Sequence, residues 1–88
     1  MDSLVVYTAK GCPYCEKLKK GLKKIGVNFN EVRVDLEKNK KIYESLEKVS
    51  GDTSVPMMLV NKKHLLVPGK SFNTIEEGVS LIENFKNS

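Results

Sequence analysis

Two segments with helical spacing of apolar residues, each closed by a glycine, alternate with short β-branched runs, and this alternation constrains the fold more than any other feature. Leu18, Leu22 and Ile25 stand at i, i+4 and i+7 and stop at Gly26; Ile42, Leu46 and Val49 repeat the spacing and stop at Gly51. At ~100° per residue each set lines one helix face. Pro13 suits a first helical turn, where its missing N–H costs nothing, and a glycine suits the position after the last turn. The first helix therefore runs from Pro13, and the second begins near Leu36 to Asn39. Before and between them, Ser3 to Thr8 and Asn28 to Val34 read as strands. Val55 to Val60, entered through Pro56, and His64 to Val67 read as a hairpin around Asn61-Lys62-Lys63. Pro68-Gly69 ends it. Thr74-Ile75-Glu76-Glu77 matches a capping box, after which Ile75, Gly78, Val79, Ile82 and Phe85 line one face of a last helix. Period 2 sends Met57 and Met58 to opposite faces of the sheet, and His64 falls in a strand as a structural residue.

The order is βαβαββα. Strands joined through a helix lie parallel with a right-handed crossover, and the later hairpin makes the sheet mixed. The expectation is an α/β fold of three α/β/α layers, in one domain over residues 1–88, without internal repeats. With 40% hydrophobic and 30% charged residues, and only 6 Gly and 3 Pro, the composition excludes collagen-like and strongly disordered classes. The longest apolar runs, Leu4 to Tyr7 and Val55 to Val60, fall far short of the ~20 residues that span a bilayer. Met1-Asp2-Ser3 leads straight into a strand-like run without a leader pattern, so a cytoplasmic protein is expected, away from any membrane. The net charge of +4 does not point to nucleic acid. Lys17, Lys19, Lys20, Lys23 and Lys24 occupy the solvated side of the first helix, and Arg33 is the only arginine, whereas nucleic-acid readout favours arginine forks beside stacking aromatics.

Chemistry concentrates in Gly11-Cys12-Pro13-Tyr14-Cys15, where the first strand hands over to the first helix. With Pro13 as the first helical residue, Cys12 is the N-cap and Cys15 the third helical residue. Free backbone N–H groups and the positive end of the helix dipole then favour the Cys12 thiolate, and Lys10 adds to that. The i, i+3 spacing suits the ~4.4 to 6.8 Å Cα separation of a disulfide. So small a loop has little stabilising value, which favours a bond that is made and broken. Two bland readings stand beside this one. A structural zinc needs four ligands, against two Cys and one His here, so no metal is expected; a purely structural disulfide is rarely kept in the cytoplasm.

At these residues the chain resembles the glutaredoxin family and, more broadly, the thioredoxin-fold redoxins. The resemblance covers essentially the whole chain and is carried by Tyr7-Thr8, Cys12-Pro13-Tyr14-Cys15, Thr53-Ser54-Val55-Pro56 and Gly69. It implies a thioredoxin-like four-stranded mixed sheet of order 4-3-1-2 with the third strand antiparallel. It also implies thiol–disulfide oxidoreductase activity on protein disulfides or glutathione-type mixed disulfides. Cys12 would attack the substrate and Cys15 would resolve the mixed disulfide. Pro56 would be the family's cis-proline, and Val55 would offer its backbone to the substrate. Tyr14, beside the sulfurs, either lines the substrate groove, the favoured reading, or packs its ring on the protein surface. No tightly bound cofactor is implied, and a monomer is expected.

The departures lie where the family holds glutathione. The cation usual three residues before the first cysteine is replaced by Ala9, with Lys10 one residue later as a substitute. The usual Gly-Gly turn and Asp pair are replaced by Pro68-Gly69-Lys70-Ser71-Phe72-Asn73-Thr74, which has no acidic residue. Gly69, Lys70 and Ser71 are the binding candidates there; Ser71 or Thr74 offers a hydroxyl, and Lys70 either attracts an anionic ligand or is solvated like the other lysines. The donor is then glutathione, another low-molecular-weight thiol, or a thioredoxin-reductase-like protein serving a ribonucleotide-reductase-donor-like carrier. An iron–sulfur cluster module is the reading from a different class, and Pro13 counts against it.

Overall fold

The computed structural model describes residues 1–88. Strand β1 (Leu4–Thr8) leads to helix α1 (Pro13–Lys24), then strand β2 (Asn30–Arg33), a 3-10 turn at Glu37–Asn39 and helix α2 (Lys40–Ser50). Strands β3 (Met57–Val60) and β4 (His64–Leu66) and helix α3 (Ile75–Lys86) follow. The sheet order is β2-β1-β3-β4, with β1 parallel to β2, and β3 antiparallel to both β1 and β4. This is the thioredoxin-like mixed sheet that the resemblance implies. Strands β2, β3 and β4 are each shorter than the sequence reading. Val55 and Pro56 precede the β3 ladder as a separate segment, and the Val55–Pro56 peptide is cis.

Period 2 divides the core. Leu4 and Val6 of β1 and Met58 and Val60 of β3 face α1 and α3, where they pack with Leu18, Leu22, Val27, Phe72 and Ile82. Tyr7 and Met57 face the other way, toward Val34, Leu46 and Val67. Met57 and Met58 are both fully buried on opposite faces, as alternation requires. At the N-terminus of α3, Thr74 Oγ1 accepts the Glu77 N–H while the Glu77 carboxylate accepts the Asn73 and Thr74 N–H groups. The capping box is therefore complete.

The two faces are covered unequally. Leu18, Leu22 and Ile82 are wholly excluded from solvent, each contributing ~1.5–3 kcal/mol relative to exposure. On the other face α2 stands alone, and of its Ile42, Leu46 and Val49 only Leu46 is buried. Ile42 is 40% and Val49 76% exposed, so the shared helix face is covered only at Leu46. Tyr43 packs against that core instead, its hydroxyl donating to the Thr53 carbonyl at 2.7 Å. Spacing says which side chains share a face, but not whether enough surface lies opposite to cover them.

Close approach of α1 to α3 depends on Gly21, where a Cβ would lie 2.7 Å from Val79 Cγ2. Gly21→Ala gains ~1 kcal/mol of helix propensity but meets a β-branched side chain that cannot swing away, and overpacking costs ~1–3 kcal/mol. We expect Gly21→Ala to lower the urea midpoint, and Gly21→Ala/Val79→Ala to be more stable than the sum of the single changes. Strictly additive effects in that double-mutant cycle would contradict the contact.

Candidate active site

β1 ends on Thr8, and the chain turns through Ala9, Lys10 and Gly11 to deliver Cys12 as the N-cap of α1, with Pro13 at the first helical position. Cys12 has extended backbone angles and its sulfur accepts the Cys15 N–H at 3.2 Å. The cap role normally filled by a Ser or Asp oxygen falls here to a sulfur. Cys12 and Cys15 are joined as a disulfide with a Cα separation of 5.3 Å. Cys15 is 1% exposed and packed beneath the helix, whereas Cys12 is half-buried and open on one side. An incoming thiolate reaches Cys12 and not Cys15. Cys12 Sγ also stands 4.0 Å from the Val55 carbonyl oxygen. The oxidised sulfur carries no proton, so this is a contact and not a hydrogen bond. It places the segment before β3 across from the cysteines.

That segment is held from α2. The Tyr43 hydroxyl binds the Thr53 carbonyl, the Ser54 N–H donates to Asp52 Oδ1 at 2.8 Å, and the Asp52 N–H donates to Ser50 Oγ at 3.0 Å. The Ser54 side chain and N–H hold the Asp52 carboxyl below the usual carboxylate range. Tyr43 thus positions Val55, a role that spacing alone does not reveal.

A cleft of about 460 Å³ opens beside this contact, lined by Tyr14, Lys17, Val55, Pro56, Phe72, Thr74 and Glu76, among others. Tyr14 is 62% exposed on its rim. Of the residues proposed from sequence for substrate or thiol binding, Tyr14, Val55 and Pro56 meet here. Gly69, Lys70 and Ser71 do not line it. The Ser71 hydroxyl accepts the Val67 N–H at 2.9 Å, the Gly69 N–H donates to the Phe72 carbonyl, and the Lys70 ammonium bonds the Ser50 carbonyl at the C-terminus of α2. Their polar groups hold the turn leading toward α3, and a helix C-terminus attracts the Lys70 cation. Charged groups on the cleft come instead from Lys17, one turn after Tyr14, and Glu76, in the first turn of α3. Neither takes part in an ion pair within 4 Å. Sequence reasoning missed both. The signal for Lys17 was its i+3 spacing from Tyr14; Glu76 gave none, because it joins the cleft only when α3 packs.

On the other side of Cys12, a second cleft of about 540 Å³ is lined by Ala9, Lys10, Gly11, Cys12, Pro13, Glu16, Lys19, Glu31 and Arg33. Lys10 and Pro13 therefore belong to this side and not to the cleft beside Val55. Its floor is a polar chain: the buried Thr8 hydroxyl donates to Glu31 Oε2 at 2.6 Å, and Lys19 reaches Glu31 at 3.0 Å and Glu16 at 2.6 Å. The Thr8 hydroxyl and then Lys19 hold the Glu31 carboxyl below its ordinary range. The Arg33 guanidinium grips Asp35 through two bonds and brings its carboxyl down to about 2.

A reversible disulfide across the first turn of a helix, at the C-terminal end of the central parallel strand of a mixed sheet, defines a thioredoxin-like thiol redox protein. The Glutaredoxin family model matches residues 4–65. Glutaredoxin 3 of Escherichia coli K12 is 35% identical over 65 residues, covering 74% of this chain and 76% of the relative. The crystal structure of the glutaredoxin from Archaeoglobus fulgidus matches with a TM-score of 0.68 at 28% identity, over 93% of this chain and 87% of that one. The buckwheat glutaredoxin–glutathione complex shares the fold, with a TM-score of 0.70 at 19% identity over 94% of this chain and 70% of that one. The chain belongs to the glutaredoxin family and is a thiol–disulfide oxidoreductase.

Because the Glu31 carboxyl is depressed in the folded protein, its stabilising contribution is present above the ordinary glutamate range and is lost as pH falls through the lowered value. Thr8→Val removes the largest cause, so the Glu31 titration midpoint, followed by carboxyl ¹³C NMR, is expected to rise toward the ordinary glutamate range. An unchanged midpoint would show that the cations Lys19 and Arg33 set it without the hydroxyl.

Proposed function

We propose that this protein is a dithiol glutaredoxin in which Cys12 is the nucleophile and Cys15 the resolving thiol. The observation that supports this best is the pairing of an accessible Cys12 sulfur, bonded by the Cys15 N–H, with a Cys15 sulfur shielded from solvent. The N–H and the helix dipole stabilise a thiolate on Cys12 after reduction, both as attacking and as leaving group. The thiolate attacks one sulfur of a substrate disulfide, forming Cys12–S–S–R and expelling the other half as a thiolate. The Cys15 thiol, losing its proton to solvent, then attacks the Cys12 sulfur and releases R–S⁻, leaving the Cys12–Cys15 disulfide. Two donor thiols complete the cycle, the first attacking Cys12 because Cys15 is covered. The second takes the donor off Cys12 as a donor disulfide. The cycle needs a reducing compartment, and we place it in the cytoplasm.

Glutathione is the donor this reading favours. The cleft beside Val55 offers backbone groups for a peptide-like ligand, Lys17 for a carboxylate, and Glu76 for the α-ammonium of a γ-glutamyl end, in place of the family's Asp pair. Intact mass spectrometry of Cys15→Ser after exposure to oxidised glutathione is expected to show one adduct, located on Cys12, while Cys12→Ser loses turnover altogether. Full activity in Cys12→Ser would sink the mechanism. Glu76→Gln removes a rim-exposed charge contact, so the KM for glutathione should rise about two- to fivefold with kcat little changed. Dithiothreitol lacks an ammonium, and its reduction of the Cys12–Cys15 disulfide should be unaffected. A native KM indifferent to Glu76, with dithiothreitol still effective, would point to another thiol or a reductase protein as donor.

A further inference from the structure

The half-covered face of the sheet carries a groove separate from the two clefts beside Cys12. A groove of about 400 Å³ runs between α2 and the β3–β4 hairpin. Its walls and floor are Tyr7, Ile42, Leu46, Val49, Leu59 and Leu65, and Lys41, Lys62 and Lys63 stand on its rim. No carboxylate lines it. Glu44 and Glu47 of α2 lie ~200° and ~140° around the helix from Ile42, on the far side. None of the three lysines makes an ion pair within 4 Å. The groove therefore combines an uncovered apolar strip with positive charge of one sign.

Two further features shape its floor and rim. Tyr7 is 8% exposed and burial pushes its phenol up, while its hydroxyl, which makes no hydrogen bond within the protein, opens to solvent in the groove and is free to donate to an acceptor there. The hairpin holds Asn61 and Lys62 at φ values of 55° and 61°. These are the two central residues of the turn closed by the Lys63 N–H to the Val60 carbonyl, which takes positive φ at both positions and sets Lys62 beside Lys63 at the rim.

We propose that this groove docks an acidic amphipathic segment of a partner protein, its apolar side chains laid along Ile42, Val49, Leu59 and Leu65 and its carboxylates on the three lysines and the Tyr7 hydroxyl. A small molecule would leave Val49 uncovered. A bilayer does not reach the floor of a concave groove. A second copy of this chain, with a net charge of +4, would bring like charge to the same rim. The groove extends to the β3–β4 turn, while the cysteines follow the opposite, C-terminal end of β1, so a partner docked here leaves Cys12 open to react. The surface thus selects which protein is presented to the thiol, apart from the cleft that receives a small donor.

The test uses a synthetic helical peptide of roughly 18 residues with Leu at i, i+3, i+4 and i+7 and Glu elsewhere, titrated against the ¹⁵N-labelled oxidised protein. Cross-peaks of Ile42, Val49, Lys63 and Leu65 should shift, with binding that weakens as salt rises. Lys41→Glu/Lys62→Glu/Lys63→Glu should weaken binding about tenfold or more, and Tyr7→Phe, which keeps the ring, about two- to fivefold. The rate of Cys12–Cys15 reduction by dithiothreitol should stay at the native value in the triple variant. Absence of shifts at these residues up to millimolar peptide would overturn the proposal, as would equal binding of the peptide with Lys in place of Glu. Binding of phosphatidylglycerol vesicles without the acidic peptide, or concentration-dependent self-association through the same residues, would assign the groove to another occupant and overturn it too.

Discussion

The hydrogen bond from the Cys15 N–H to the Cys12 sulfur is the contact on which the other parts of the site depend. It exists because β1 ends one short turn before a helix whose first residue is proline, so that Cys12 falls at the cap and Cys15 at the third helical position. The same helix geometry that brings the two sulfurs together buries one and leaves the other open. Charge on sulfur is favoured at the open position, and the proposed direction, attack at Cys12 and resolution from Cys15, rests on that asymmetry. Everything on the α1 and α3 side of the sheet serves to keep that helix end in place, from the full burial of Leu18 and Leu22 to the close approach at Gly21.

The opposite face does different work. Helix α2 is anchored mainly through Leu46 and Tyr43, and through Tyr43, Ser50 and Asp52 it orders the loop that carries Val55 to the cysteines. Its remaining apolar side chains, Ile42 and Val49, have no opposing helix. One helix over a four-stranded sheet thus performs a positioning task and leaves a lysine-rimmed groove. The molecule therefore presents a polar cleft and the cleft proposed for the thiol donor on either side of the redox pair, with an apolar groove on the α2 face.

Much of this was legible from residues alone, because the relevant signals act over a few positions. Pro13, Gly26, Gly51 and the Thr74–Glu77 box mark helix ends by local sterics and local hydrogen bonds, and the elements begin and end within a few residues of those marks. Alternation in β3 assigned Met57 and Met58 to opposite faces for the same reason. The partners of Lys70 and Ser71 are not legible in this way, because sequence adjacency to Gly69 says nothing about what their polar groups meet. In the folded chain one bonds the end of α2 and the other closes its own turn.

By itself, then, the order of residues determined the βαβαββα plan, the capped position of Cys12 and the reactivity expected of it, since a helix N-terminus and an i, i+3 pair are properties of a single short segment. Only the tertiary structure decided which charges line the cleft beside Val55, that Tyr43 holds the loop before Val55, and that Ile42 and Val49 stay uncovered. Those outcomes depend on segments far apart in the chain, such as Lys17 on α1 and Glu76 on α3, being brought to one surface by the packing of helices on the sheet. Periodicity orients a side chain about its own helix axis. What lies across from it is set by the neighbours that the sheet order supplies.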